Sequence, residues 1–371
     1  MGGFYTTLTL IKNPFQTQIF DGTIDMKFPF HYYFFAPIYY LTKDPEYLRI
    51  FSCFFSFFCP LIFYFCLKEK YQDIDKDNLF YFSLVLFILP SFRSSAIWVN
   101  TLITAIFFSL IGLYFFLKWQ NLKKNKVSKY LILSVIFLSI AVYTRQEYAL
   151  VCLFIVTILF KKLELKQFIF ILFFWFILSL PGISLAYHYP TLFPKYLSFN
   201  IYNSILVNLS IICFYLAPIM LLEKFYQDIN QKVFYFIIIT IPIILILSFN
   251  FDYNFRMGGG FFIKSSIIFF DNLIFFFLTS FIGLLFVGLI CFENKINIFF
   301  FLILIFGFSS NVIFQKYYEP LFLILFFLLY QTNLTYKIIV NKTKIFLFHI
   351  YFLFYLIAAI FNNYFLVTKS I

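Results

Sequence analysis

Four arginines stand in this chain, Arg49, Arg93, Arg145 and Arg256, each beside a short polar stretch between apolar runs. A guanidinium is a planar fork of donors, suited to gripping phosphate or carboxylate. The stretches around them carry further chemistry. FRSSAIWV (92–99) holds Arg93, and YTRQEY (143–148) holds Arg145, Gln146 and Glu147. FNFDYNFRMGGGFFIK (249–264) combines Asp252, Arg256, the run Gly258–Gly260 and Lys264, and QKYYE (315–319) offers Lys316 and Tyr317. Ahead of them all, DGTIDMKFPFH (21–31) places Asp21 and Asp25 before His31. A carboxylate within reach of a hydroxyl can take its proton, and successive glycine N–H groups can cradle an anion. Each feature also has a plain reading. Asp21 and Asp25 are then ordinary loop carboxylates, Arg145 and Glu147 an ion pair at a helix end, the glycines a turn, and Lys316 a snorkelling side chain.

The elements that position these residues follow from composition. Of 371 residues, 63% are hydrophobic and 12% charged, against roughly 25% charged in a soluble domain. Most of the chain therefore faces something other than water. A bilayer core needs about 17–25 apolar residues per helix. Runs bounded by charge give spans near 47–67, 78–92, 96–118, 129–145, 146–161, 167–187, 201–222, 233–250, 267–291, 297–314, 319–335 and 345–367. Backbone in lipid must pair its own polar groups, so the runs are helices. HYYFFAPIYY (31–40) is too short to span and reads as an interfacial or re-entrant helix. The expectation is an all-α polytopic transmembrane bundle of about twelve spans. Residues 1–46 form an outer-side loop with that helix, and 47–371 a single membrane domain.

Lysines give direction. Lys68, Lys70 and Lys76, the group from Lys118 to Lys129, Lys161, Lys162 and Lys166, and then Lys224, Lys232, Lys295, Lys337, Lys342 and Lys344 fall on one set of loops. That set belongs on the cytoplasmic side. All four arginines then fall outside, either by chance segregation or because the chemistry is there. Net charge is +12, but it is dispersed between apolar runs rather than forming one stripe, which excludes nucleic acid as partner. The six cysteines lie in or at the end of apolar runs without ligand spacing and read as small hydrophobes. His31, His188 and His349 are too scattered to bind a metal. The abundant Phe (64) and Tyr (28), with Ile, Lys and Asn, follow A/T-rich codons and point to a bacterial inner membrane rather than the endoplasmic reticulum.

A family resemblance adds to this. FPFHYYFFAPIYYLTKDPEYLRIFSCFFSFFCPLIFYFCLK (28–68) resembles the His/Pro-Pro-Leu-Tyr-Tyr-Leu … Arg stretch of GT-C membrane glycosyltransferases, an outer interfacial helix followed by an inward span. QTQIFDG (16–22), TRQEYALV (144–151), GGGFFIKSS (258–266) and KYYEPLFLI (316–324) are similar to short motifs of the dolichyl-phosphate-glucose α-1,2-glucosyltransferases. The resemblance implies a polyprenyl-phosphate sugar as donor, a lipid-linked or envelope glycan as acceptor, and membrane lipid around the site. It implies no cofactor, and ligand spacing indicates no metal. Arg93, Arg145, Arg256 and Lys264 would hold the donor phosphate. Asp21 or Asp25, or in reserve Glu147 or Asp252, would be the base. His31, Gln146, Asp252, Lys316 and Tyr317 would touch substrate. One departure stands out: the family opens with a span and an acidic pair, whereas residues 1–15 hold neither. Either the start is missing or another carboxylate has taken the role. Competing expectations are an O-antigen polymerase or ligase, which needs one large outer loop, and a transporter or flippase, which needs mid-span charge and internal repeats.

Overall fold

Apolar runs become helices here wherever an Asn, Asp, Thr or Pro supplies the start. Asp44 accepts from Glu46 N with Pro45 opening the helix, Asn100 accepts from Leu102 N, and Asn200 from Tyr202 N and Asn203 N. These side chains satisfy donors that a helix start leaves open. The computed structural model describes residues 2–12, 28–122, 126–188, 200–223, 231–254, 258–309 and 312–361, and among them it is helical without a strand. The chain forms two compact units, Met1–Lys195 with Phe352–Ile371, and Tyr196–Tyr351.

Unit 1 holds α1 (Gly2–Lys12), α2 (Phe30–Thr42), α3 (Pro45–Ser56), α4 (Phe58–Lys70), α5 (Lys76–Ser83), α6 (Pro90–Ile97), α7 (Thr101–Gln120), α8 (Lys129–Val142), α9 (Ala149–Lys162) and α10 (Leu165–His188). Cys59 Sγ donates to Ile103 O and Cys66 Sγ to Leu110 O, so α4 and α7 run parallel. The segment between them, α5 and α6 with a 68° bend, must therefore return from one end to the other. Gly112 lets α8 lie close on α7, since a Cβ there would come within 2.7 Å of Leu138. Lysines Lys118, Lys126 and Lys129 gather at one end, where Trp119 Nε1 donates to Lys126 O and Asn121 Nδ2 to Glu69. The opposite end collects the starts of α2 and α7 and the end of α8.

Unit 2 holds α11 (Ile201–Leu222), α12 (Gln231–Phe249), α13 (Gly260–Phe270), α14 (Ile274–Glu293), α15 (Ile296–Gly307), α16 (Gln315–Tyr318), α17 (Leu321–Leu328), α18 (Asn333–Val340) and the first half of α19 (Lys342–Phe361). In lipid, apolar burial gives no advantage between helices, so small residues and close backbones decide packing. The α11–α14 seam shows this. Ser280 Oγ donates to Leu206 O at 3.0 Å, Ser210 meets Thr279 at 3.2 Å, and a Cβ on Gly283 would collide with Leu209 O. Every residue of α17 is buried, which makes it the centre of the unit, as expected of a helix apolar all round.

Among the described residues, six helical stretches are long and apolar enough to cross a membrane, or eight if each bent pair is one crossing. This is a multi-pass membrane helix bundle. The expected count of about twelve is not reached by length, because Lys129–Val142, Tyr235–Phe249, Gly260–Phe270 and Ile296–Gly307 are shorter. At 1.5 Å per residue, the 14-residue α8 covers about 21 Å of a ~30 Å core. The expected span 267–291 also breaks. Asp271 turns left-handed (φ 51), Asn272 caps Ile274 N, and α13 and α14 become separate helices. The segment 31–40 is a 13-residue helix, α2, too short to span.

Candidate functional site

In unit 1 the expected residues meet where α8 ends. Arg145 follows the last turn of α8, its N–H donating to Ala141 O at 2.9 Å. Its side chain is folded inward and the residue is only 5% exposed. Nε donates to Glu147 Oε1 at 3.0 Å, and the second donor, Nη2, goes to that same oxygen. A buried guanidinium must be paired, and Glu147, with its side chain 22% exposed, does the pairing. Gln146 lies between them, half-buried in the same 3-10 turn. Tyr143 ties the corner to its neighbours. Its O accepts from Phe30 N at 3.3 Å, its hydroxyl donates to Leu178 O at 2.7 Å, and Gly182 N donates back to that hydroxyl. Phe28 rests on the Tyr143 ring with centroids 5.6 Å apart. The short helix α2 therefore starts against the Arg145 corner.

His31, expected to touch substrate, is instead buried with both ring nitrogens engaged. Nε2 meets Val99 O at 3.0 Å and Nδ1 meets Thr104 Oγ1 at 2.8 Å. A carbonyl can only accept, so Nε2 carries the proton and Nδ1 accepts from the threonine hydroxyl. The bond holds Val99, a β-branched residue at φ 52, in a conformation such residues avoid. The ring is a pin between α2 and the start of α7. Arg93 lies on the exposed face of α6 and makes no ion pair among the described residues. Arg49 is paired with Glu46 at 2.9 Å and lies over the Trp98 ring.

Unit 2 brings together the two other expected stretches, 249–264 and 315–319. Asn203 clamps Asp252 by its backbone: Asp252 N donates to Oδ1 at 2.9 Å, and Nδ2 donates to Asp252 O. The Asp252 carboxylate is left on an exposed residue. The Tyr253 hydroxyl accepts from Ile313 N at 2.8 Å, and burial holds this phenol above its ordinary value of 10. Gly259 N donates to Ile313 O at 2.9 Å, and Phe261 N to Gln315 Oε1 at 2.6 Å. The glycine run, one reading of which was an anion cradle, is thus a seam. The N–H of its middle glycine and that of Phe261, the residue after it, already have protein acceptors, and a Cβ on Gly258 would come within 2.8 Å of Ile313 O. Gly259 and Gly260 have φ of +89 and +80, which glycine adopts without strain.

Lys264 points outward from the first turn of α13 and is exposed. Lys316 is exposed over the rings of Phe314 and Tyr317, while Tyr317 is half-buried. The residues sequence reasoning passed over are Gln315, Tyr318 and Glu319, all buried on the other side of the same turn. Their spacing of three and four was the available signal. Asp21, Asp25 and Arg256 lie outside the described residues. Among the described residues, no three His, Cys, Asp or Glu side chains converge as a metal site. No protein-family model matches this chain, and no curated protein and no solved structure is detectably similar to it.

Proposed function

We propose that this chain is a membrane glycosyltransferase of the GT-C type, transferring a sugar from a polyprenyl-phosphate donor to a lipid-linked or envelope glycan acceptor. The observation that carries the reading is Arg145: a nearly buried guanidinium at a helix end, with a short non-spanning aromatic helix beginning against it. Ionisable groups at membrane depth are retained for function by default. The Glu147 carboxylate fills the fork as a phosphate oxygen would.

In the reaction proposed, the acceptor hydroxyl oxygen forms a bond to the sugar's anomeric carbon as the bond from that carbon to the phosphate oxygen breaks. The configuration inverts. Charge builds on the departing phosphate, and Arg145 answers it. A carboxylate takes the hydroxyl proton. Glu147 is occupied in holding the fork, so Asp21 or Asp25 is the better base, Asp25 standing three residues before Phe28 in the sequence. The lysine-rich helix ends lie in the cytoplasm and the Arg145 corner on the outer face of the membrane, in this reading a bacterial inner membrane. Each bent pair and each of the shorter helices α8, α9, α12 and α15 is counted as a crossing, giving about twelve.

Purified full-length protein given a polyprenyl-phosphate hexose should transfer or hydrolyse it, and Arg145→Ala should abolish this. Unchanged turnover in Arg145→Ala would remove the phosphate site. Labelling of Lys126→Cys from the cytoplasmic side only, and of Gln146→Cys from the outer side only, tests the orientation. A second reading, transport, is favoured by the two broken helix pairs, bent by 68° and 96°, a device of transporter cores. Solute flux into proteoliposomes without sugar transfer would select it.

A further inference from the structure

One strip of the surface that α7 and α8 share is made of flat rings. Tyr130 stacks on Phe115 with centroids 6.4 Å apart, Phe115 on Phe137 at 5.8 Å, and Phe137 on Phe108 at 6.3 Å. Successive planes differ by 18°, 17° and 14°. Phe108 and Phe115 stand two helical turns apart, as do Tyr130 and Phe137, so each pair shares one face of its helix. The strip therefore runs for about 10 Å along the bundle. Tyr130, Phe115 and Phe137 are half-buried, and each keeps part of its surface outside the protein. Phe108, where the strip ends, is buried against Phe30 and Phe34 of α2.

Lysines stand at the other end of the strip. Lys118 Nζ lies 4.6 Å from the Tyr114 ring centroid and 5.9 Å from that of Tyr130, and Lys129 Nζ lies 5.5 Å from the same Tyr130 ring. Two ammonium groups from two helices thus attend one ring. Lys126 is exposed nearby, because buried Trp119, the neighbour of Lys118, donates its Nε1 proton to Lys126 O at 2.8 Å and ties the loop down. None of these three lysines has an ion-pair partner among the described residues. Glu69 lends Lys118 some negative field, but its Oε2 accepts from Asn121 Nδ2 at 3.1 Å. Lys129 also opens α8, a position where the helix dipole favours an acid. Like charges set this way repel, and no group of the protein answers them.

The combination selects a ligand. α7 is long enough to cross a bilayer and Lys118 lies in its last turn, so the lysines stand at headgroup level and the strip runs into the hydrocarbon. A free phosphate would use the lysines and leave the strip idle, and an apolar solute would do the reverse. A lipid with a net negative headgroup uses both. We propose that this face of α7 and α8 binds an anionic phospholipid. Its phosphate lies between the Lys118 and Lys129 ammonium groups, with Lys126 at the rim, and an acyl chain lies along Tyr130, Phe115 and Phe137. A zwitterionic lipid brings its own ammonium group to the same place and binds less well. The site belongs to unit 1, at the end opposite the Arg145 corner, and requires no activity there.

Trp119 can report on the site directly. Full-length protein carrying Trp98→Phe and Trp175→Phe keeps it as the only tryptophan. In phosphatidylcholine bilayers, phosphatidylglycerol brominated on its acyl chains is added in steps, and bromine quenches an indole close to it. Half-maximal quenching should need roughly tenfold less brominated phosphatidylglycerol than brominated phosphatidylcholine, and that preference should fall about fivefold in Lys118→Gln and in Lys129→Gln, the equivalent of ~1 kcal/mol per lysine at a membrane surface. Lys118→Arg and Lys295→Ala should retain it. Phe115→Leu with Phe137→Leu keeps apolar bulk but removes the flat strip, and should weaken phosphatidylglycerol binding severalfold. Equal quenching by the two lipids overturns the proposal. So does a preference that survives intact in a folded Lys118→Gln/Lys129→Gln double variant. Stabilisation of the detergent-solubilised protein by inorganic phosphate equal to that by phosphatidylglycerol would make the ligand a free anion and overturn it too.

Discussion

The Arg145 corner of unit 1 and the glycine seam of unit 2 both fasten a helix end, one with charge and the other with backbone. In the corner, a guanidinium and a carboxylate hold each other, and the carboxylate is partly open to solvent. Another anion of similar shape could take its place. In the seam, N–H groups of 259 and 261 go to Ile313 O and Gln315 Oε1, with glycines letting the strands of chain touch. Nothing there can be exchanged without moving backbone. The difference teaches which fastening can trade partners: the exposed side of an ion pair can, a seam of backbone hydrogen bonds cannot.

Substitutions can break or sharpen that contrast. The largest effect belongs to the seam. Gly259→Val adds a β-branched side chain at φ +89 where its Cβ would collide with Ile263. Strain and overpacking together should cost about 4 kcal/mol, read as a loss of folded protein in a detergent melting assay. At the corner, Arg145→Ala leaves Glu147 without its cation and should cost about 3 kcal/mol. Glu147→Gln keeps an acceptor for the guanidinium and should cost nearer to about 1.5 kcal/mol. If the fork is exchangeable, added polyprenyl phosphate should restore thermal stability to Glu147→Gln and not to Arg145→Ala. Equal response in both would erase the distinction between the regions. Tyr253→Phe is the smallest, about 1 kcal/mol at neutral pH. Because burial raises this phenol's pKa, its contribution is complete below pH ~10 and is lost as pH climbs beyond that unfolded value. Melting curves of the wild type should therefore decline more steeply above pH ~10 than those of Tyr253→Phe.

Much of this arrangement was legible in the sequence. The lysine-bearing turns around Glu69 and Asn121 did meet at one end of unit 1, and the stretch 143–148 did form a corner against the aromatic helix that 31–40 foretold. The stretches 249–264 and 315–319, far apart in the chain, did meet. What was not legible depended on facing. His31 resembled a ligand-binding histidine, but only the fold shows Val99 O and Thr104 closing on its two nitrogens. Lys316 and Tyr317 drew notice because they are charged and aromatic, yet the turn points Gln315, Tyr318 and Glu319 inward. The break at Asp271 was hidden because hydropathy runs on through it, and a single left-handed residue capped by Asn272 ends one helix and starts the next.

The central position of α17 has a consequence for how the protein is made. A segment this apolar enters lipid readily, yet in the finished unit it touches protein on every side. Phe348 of α19 packs on Phe327, and Tyr351 donates to Phe214 O, so part of its enclosure is translated after it. During synthesis α17 must wait, held in lipid or by the insertion machinery, until α19 arrives. Unit 2 is thus closed by its own last helix, and a ribosome stalled before residue 342 would leave the heart of the unit open to the bilayer.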